Sequence, residues 1–161
     1  TIVVTSLDNV LRPYLIKKGA DLPLLLIFAG VIGGMITLGL VGIFAGVAVA
    51  VMDRGGNLLA FARDPGAPFH SSKIAEDKAT TSAGFGLPTK QWWPVLEGMN
   101  SPGLLAGIAA VPRMVVFGGG VPVYVGQDCI AGVGVSGGSE EEDEICARAG
   151  LAAAGLTAAP G

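Results

Sequence analysis

The chain has 161 residues, enough for one ordinary domain with about forty residues to spare. It is 51% hydrophobic and only 14% charged, where a soluble domain carries about a quarter charged residues, so part of it belongs either in a deep core or in a bilayer. A net charge of −3, with lysines and arginines scattered rather than striped, excludes nucleic acid as a partner.

No charged residue stands between Asp21 and Asp53, a run of 31 positions from Leu22 to Met52. About 20 apolar residues span a bilayer as a helix, so the run predicts one long apolar helix, transmembrane over residues 23–44. Its glycines, among them Gly30 and Gly34 in a small-xxx-small spacing, suit close helix packing in lipid better than a soluble helix. A fully buried core helix is the competing reading, and periodicity alone does not separate the two. The run starts too late and lacks the cleavage site of a signal peptide. Arg12, Lys17 and Lys18 on one side, against Arg54 and Arg63 on the other, place the N-terminus in the cytoplasm and the following domain outside, in the periplasm. If the apolar helix instead packs on the domain, the protein is cytoplasmic. The boundary falls near Gly46, dividing the chain into a segment 1–45 and a domain 46–161.

From Val47 the pattern becomes that of a mixed α and β domain. VAVAVMD (47–53) reads as a strand, Arg54-Gly55-Gly56-Asn57 as a turn, and NLLAFAR (57–63) as the hairpin partner. Asp64 to Pro68 is loop. Ser71 or Ser72 is expected to cap a helix reaching about Ala83, with Lys73 and Asp77 paired at i, i+4. Gly84-Phe85-Gly86 and Pro88 stop it. Residues 87–112 read as loop with one short helix near 101–109. RMVVFGGGVPVYV and CIAGVGVSG supply two more strands, and Glu140 to about Gly155 a closing helix. The acid run Glu140 to Glu144 sits where the helix dipole favours negative charge and is expected to be solvated. Cys129 and Cys146 read as two buried thiols, with no further ligands to make a metal site.

The stretch from VAVAVMDRGGNLLAFARDPGAPF through the KA-bearing helix and FGLPT, then GGVP, then GVSGGSEEED, resembles the GlcG/HbpS family, also called haem-degrading. The same domain forms the C-terminal part of PduO proteins. The resemblance covers residues 47–155 and implies an α+β, profilin-like fold: a central antiparallel sheet flanked by helices, in members that assemble as oligomers. Residues 7–44, LDNVLRP followed by the apolar run, resemble the C-terminal end of an autoinducer-2 exporter (PerM-like) membrane protein. One span makes no transport path, so this second resemblance implies location. The family's usual leading amphipathic helix is replaced here by the membrane-like segment.

His70 is the only histidine. It stands beside the expected start of a helix, and a neutral imidazole nitrogen is a ligand that haem iron accepts. A bond to a loop carbonyl is the plainer alternative. Gly118-Gly119-Gly120 frees backbone N–H groups to meet a carboxylate such as a propionate, although a glycine run is also an ordinary bulge device. Lys78 and Arg113 are candidates to bring charge to the same pocket. Phe117, with Phe69 and Phe85, is a candidate apolar wall for a flat ligand. Trp92 and Trp93 read as a lid or, by preference, an interface patch. No nucleophile–base pair stands out. The expected function is a small-ligand binding module, for haem or a related tetrapyrrole, anchored to a membrane. Its alternatives are an accessory structural subunit of a larger membrane complex and an enzyme acting on haem or a small metabolite.

Overall fold

The computed structural model describes residues 46–161, so the helix expected over 23–44 lies outside the described residues. Among the described residues no helix is long and apolar enough to cross a membrane. The end of the uncharged run is strand β1, Ala48–Asp53, in which Ala48 through Met52 are all buried. It pairs antiparallel with β2 (Leu58–Arg63) on one side and with β4 (Asp128–Ser136) on the other. With β3 (Gly120–Val125) against β4, the sheet is four-stranded and antiparallel, in the order β2-β1-β4-β3. A central strand covered on both faces needs no polar alternation. That is why residues 47–52 read as apolar as the segment preceding them. The β1–β2 turn lies where expected. Asp53 accepts the backbone N–H and the side-chain amide of Asn57, each at 2.9 Å.

Helix α1, Ser71–Phe85, crosses one face of the sheet. Its alanines Ala75, Ala79 and Ala83 recur every fourth residue and so share one face. Ala75 and Ala79 pack with Ala48, Ala50 and Met52. On β4 the opposing residues are glycines. A Cβ at Gly134 would lie 2.0 Å from the Ala75 carbonyl oxygen, and one at Gly132 would lie 2.3 Å from that of Ala79. The helix backbone therefore rests directly on the strand backbone, a separation no larger residue permits. The expected serine cap is not formed: His70 occupies the N-cap position without a side-chain cap, and Ser71 is the first helical residue, buried. Gly86 ends the helix in the left-handed conformation, and its carbonyl accepts the Tyr124 hydroxyl at 3.0 Å.

The region between α1 and β3 holds more helix than expected. A 3₁₀ turn, Thr89–Gln91, leads into α2 (Trp92–Gly98), followed by α3 (Pro102–Ile108). Only α3 is foreseen by the sequence. Pro94 argues against α2, but it sits in the first turn, where a helix needs no N–H donor.

Helix α4, Glu140–Ala153, covers the other face. Cys146, Ala147 and Leu151 join Val121, Val123, Val133 and Val135 in the valine-rich core. Ser139 and Glu142 form a reciprocal capping box at its start. After α4 the chain returns along β3: Tyr124 donates its N–H to Thr157, and Gly161 donates to Gly126, both at 2.9 Å.

Candidate functional site

Helix α1 runs from Ala75 above Gly134 to Ala83, whose carbonyl lies 3.7 Å from the Cys129 sulfur. Register along β4 then fixes its direction. Its N-terminus points to the end of the sheet where β1 and β3 begin and β4 finishes. His70, the glycine run 118–120 and the start of α4 are gathered at that end.

His70 is exposed, its ring meeting Phe69 edge-on at 5.2 Å, and Phe69 is 82% exposed. An uncovered phenylalanine beside the sole imidazole is a costly surface for a lone chain to leave in water. Among the described residues, no three of His, Cys, Asp and Glu come together as a metal site. A haem at this end would draw on the His70 imidazole as an iron ligand and on the Phe69 ring for apolar contact.

The glycine run does something other than converge on one anion. Gly118 donates its N–H to the Glu140 carboxylate at 2.6 Å, while Gly120 donates to the Thr89 hydroxyl at 2.9 Å. Gly119 uses its carbonyl to accept the Val135 N–H at 2.9 Å. Gly119 has φ +110°, and a Cβ there would sit 2.6 Å from the Lys78 nitrogen and 2.8 Å from the Asp143 Cβ. Both its conformation and its surroundings require glycine.

Lys78 and Arg113 do not share a pocket. Lys78 is 1% exposed and is held within the protein, donating to the Val135 carbonyl at 2.9 Å and the Asp143 carboxylate at 2.8 Å. Its ammonium lies 5.1 Å from the centroid of Phe117, a favourable cation–π position. Phe117 itself is 42% exposed. Arg113 reaches the other way, to Thr80 Oγ1 at 2.6 Å and the Gly56 carbonyl in the β1–β2 turn at 3.3 Å. It adopts φ +63°, rare for a non-glycine residue. Thr81 holds it there, donating to its carbonyl at 2.9 Å and accepting the Val115 N–H at 3.0 Å. Arg113 thus fastens the loop before β3 across α1.

The acid run is divided rather than uniformly solvated. Asp143 is 3% exposed and pairs with Lys78; Glu144 is also buried and bonds Arg148 at 2.8 Å; Glu140, Glu141 and Glu142 are exposed. One signal for this was present in the sequence. Residues 143, 147, 150 and 151 fall on one helical stripe, so the Asp143 carboxyl shares the face of Ala147 and Leu151. Trp92 packs edge-on against Phe85 at 4.6 Å, whereas Trp93 remains half-exposed. Cys129 and Cys146 are free and buried, as expected. Burial raises both thiols; at Cys146 the neighbouring Asp143 charge adds to it and the value reaches about 11.

The family model described as "Haem degrading protein HbpS-like" matches residues 40–152. The chain belongs to this HbpS-like family. Its fold is similar to that of a crystallised PduOC:heme complex, with a TM-score of 0.67 and 25% identity over 88% of this chain and 98% of that one. It is likewise similar to a doubly substituted HbpS of Streptomyces reticuli, with a TM-score of 0.69 and 30% identity over 84% of this chain and 88% of that one. A different likeness covers 53 residues, 64% identical to the putative transport protein YdiK of Escherichia coli strain K12. That match takes in 32% of this chain but spans only 14% of the transport protein's length.

Proposed function

We propose that the described domain is a haem-binding module, with His70 as the axial ligand and the exposed face of Phe69 as part of the apolar bed. The observation that carries this reading is the uncovered Phe69–His70 pair at the start of α1. The family description and the likeness to a haem-bound PduOC support the ligand class. When bound, haem would supply a redox-active iron. The chain supplies one nitrogen and apolar cover. Titrating the protein with haem should give a shifted Soret band, and His70→Ala should change both its position and the affinity. An identical spectrum from the variant would sink the assignment of His70. Failure of both proteins to bind would remove haem altogether.

We further infer a membrane location through residues 23–44, with the domain in the periplasm. The 31-residue uncharged run and the match to a transport protein support it. Six of those 31 positions are accounted for by residues 47–52, which are buried in the domain; the remainder, Leu22 to Gly46, still exceeds the roughly 20 residues a span needs. Intact protein that is monodisperse in detergent-free buffer would overturn the anchor. Exposed Phe85, Trp93 and Met99 supply apolar surface for self-association of the kind the family resemblance implies. Sedimentation in the presence of haem tests it: a monomer at all concentrations counts against an oligomer.

A further inference from the structure

The Gly118 N–H lies just before β3, at the end of the sheet where α1 begins with His70 at its N-cap, and it is already occupied by an anion. Glu140 places Oε2 at 2.6 Å from it, a short, charge-assisted bond. Phe117, the preceding residue, shows 42% of its surface to solvent and has the Lys78 ammonium 5.1 Å from its ring centre. Together these make an apolar ring next to a backbone donor, with a cation beneath and the N-terminus of a 14-residue helix alongside. The combination suits a flat ligand that carries a carboxylate. The carboxylate found there belongs to the chain, on an exposed side chain with one anchoring bond among the described residues.

We propose that Glu140 is a specificity-determining residue, which holds the Gly118 N–H in competition with a carboxylate of the incoming ligand. The proposal rests on the haem reading for the identity of that ligand, since a haem carries propionates. A ligand carboxylate gains the Gly118 donor only by displacing Glu140, which swings into solvent. Removing the competing charge then strengthens binding of carboxylate-bearing ligands and leaves carboxylate-free analogues unaffected. Glu140 also repels a second carboxylate brought near it, and that term acts in the same direction.

The test compares the full-length chain with Glu140→Gln and Glu140→Ala, the first retaining a neutral acceptor for Gly118 should the alanine variant fold poorly. Each is titrated with haem and with haem dimethyl ester, which has the same ring and iron but no free carboxylate. Both variants should bind haem more tightly, Glu140→Ala by about tenfold, the worth of one charge-assisted hydrogen bond. The diester should bind all three proteins within about twofold of each other by the same reasoning. Haem affinities that match across the three proteins, or an equal gain for the diester, overturn the proposal. A second arm follows the Gly118 amide proton by NMR during titration with benzoate. Glu140→Ala should show a saturable downfield shift at lower benzoate concentration than wild type. If no protein binds haem, the haem reading falls and the benzoate arm alone decides: an unshifted Gly118 amide in Glu140→Ala refutes the competition.

Discussion

The two faces of the sheet are built on opposite principles. On the α1 face, Ala48, Ala50, Gly132 and Gly134 meet Ala75 and Ala79, and the packing is backbone against backbone. On the α4 face, Val121, Val123, Val133 and Val135 meet Cys146 and Leu151, and the packing is side chain into side chain. The first arrangement leaves no space to fill; the second derives its stability from buried volume. Lys78 joins them, since it rises from α1 and reaches Asp143 on α4 past the end of β4. A substitution therefore has to be judged by the face it falls on, with enlargement harmful on one and truncation harmful on the other.

The largest effect is expected where the faces are tied together. Lys78→Ala leaves Asp143 buried and unpaired, and stability should fall by about 3–5 kcal/mol. The double variant Lys78→Met, Asp143→Leu should recover most of that loss by denaturant unfolding, because no buried charge is left without a partner. A double variant as unstable as the single one would mean that the Val135 and Phe117 contacts of Lys78 matter more than its charge. Next, Leu151→Ala removes volume from the α4 face and should cost about 3 kcal/mol. The mirror experiment is Gly134→Ala, which adds one methyl on the α1 face and should cost about 2 kcal/mol although it is usually a benign change. A neutral Gly134→Ala would break the comparison outright.

Smaller effects follow from titration. Asp53 is lowered from its ordinary value of 3.8, chiefly by the Asn57 side chain and backbone, and Glu142 from 4.5 by the Ser139 backbone and hydroxyl. A depressed carboxyl stabilises the fold above its unfolded-state value, and the contribution disappears as pH falls through the folded value. Loss is thus expected below about pH 4.5, modest because both groups are solvent-exposed and screened. Asn57→Ala should flatten the part of the acid limb due to Asp53. Smallest of all, Cys146 should resist alkylation at pH 8 in the native state, since burial and Asp143 hold its thiol near 11. Rapid labelling of Cys146 would show that α4 lifts from its face.

Much of the fold was readable because local chemistry and tertiary environment agree. The β1–β2 hairpin is legible in Arg54-Gly55-Gly56-Asn57, and α4 in its acidic first turn. Helix α2 was not legible, because Pro94 and the two tryptophans read as loop until the first-turn position of the proline is known. At the candidate site, His70 and the glycine run were singled out by residue type together with the family resemblance. The partners of the glycine run were not, since Glu140 stands 22 residues from the Gly118 N–H it accepts.

By itself the sequence determined the four strands and the two long helices of the described residues, which depend on periodicity and turn residues close together in the chain. Only the tertiary structure decided what each charge does. Lys78 and Arg113 look alike in sequence, yet one is buried against Asp143 at one end of the sheet and the other clasps the β1–β2 turn at the opposite end. A charge's role is set by the dielectric and the partners around it, and residues far apart in the chain create both.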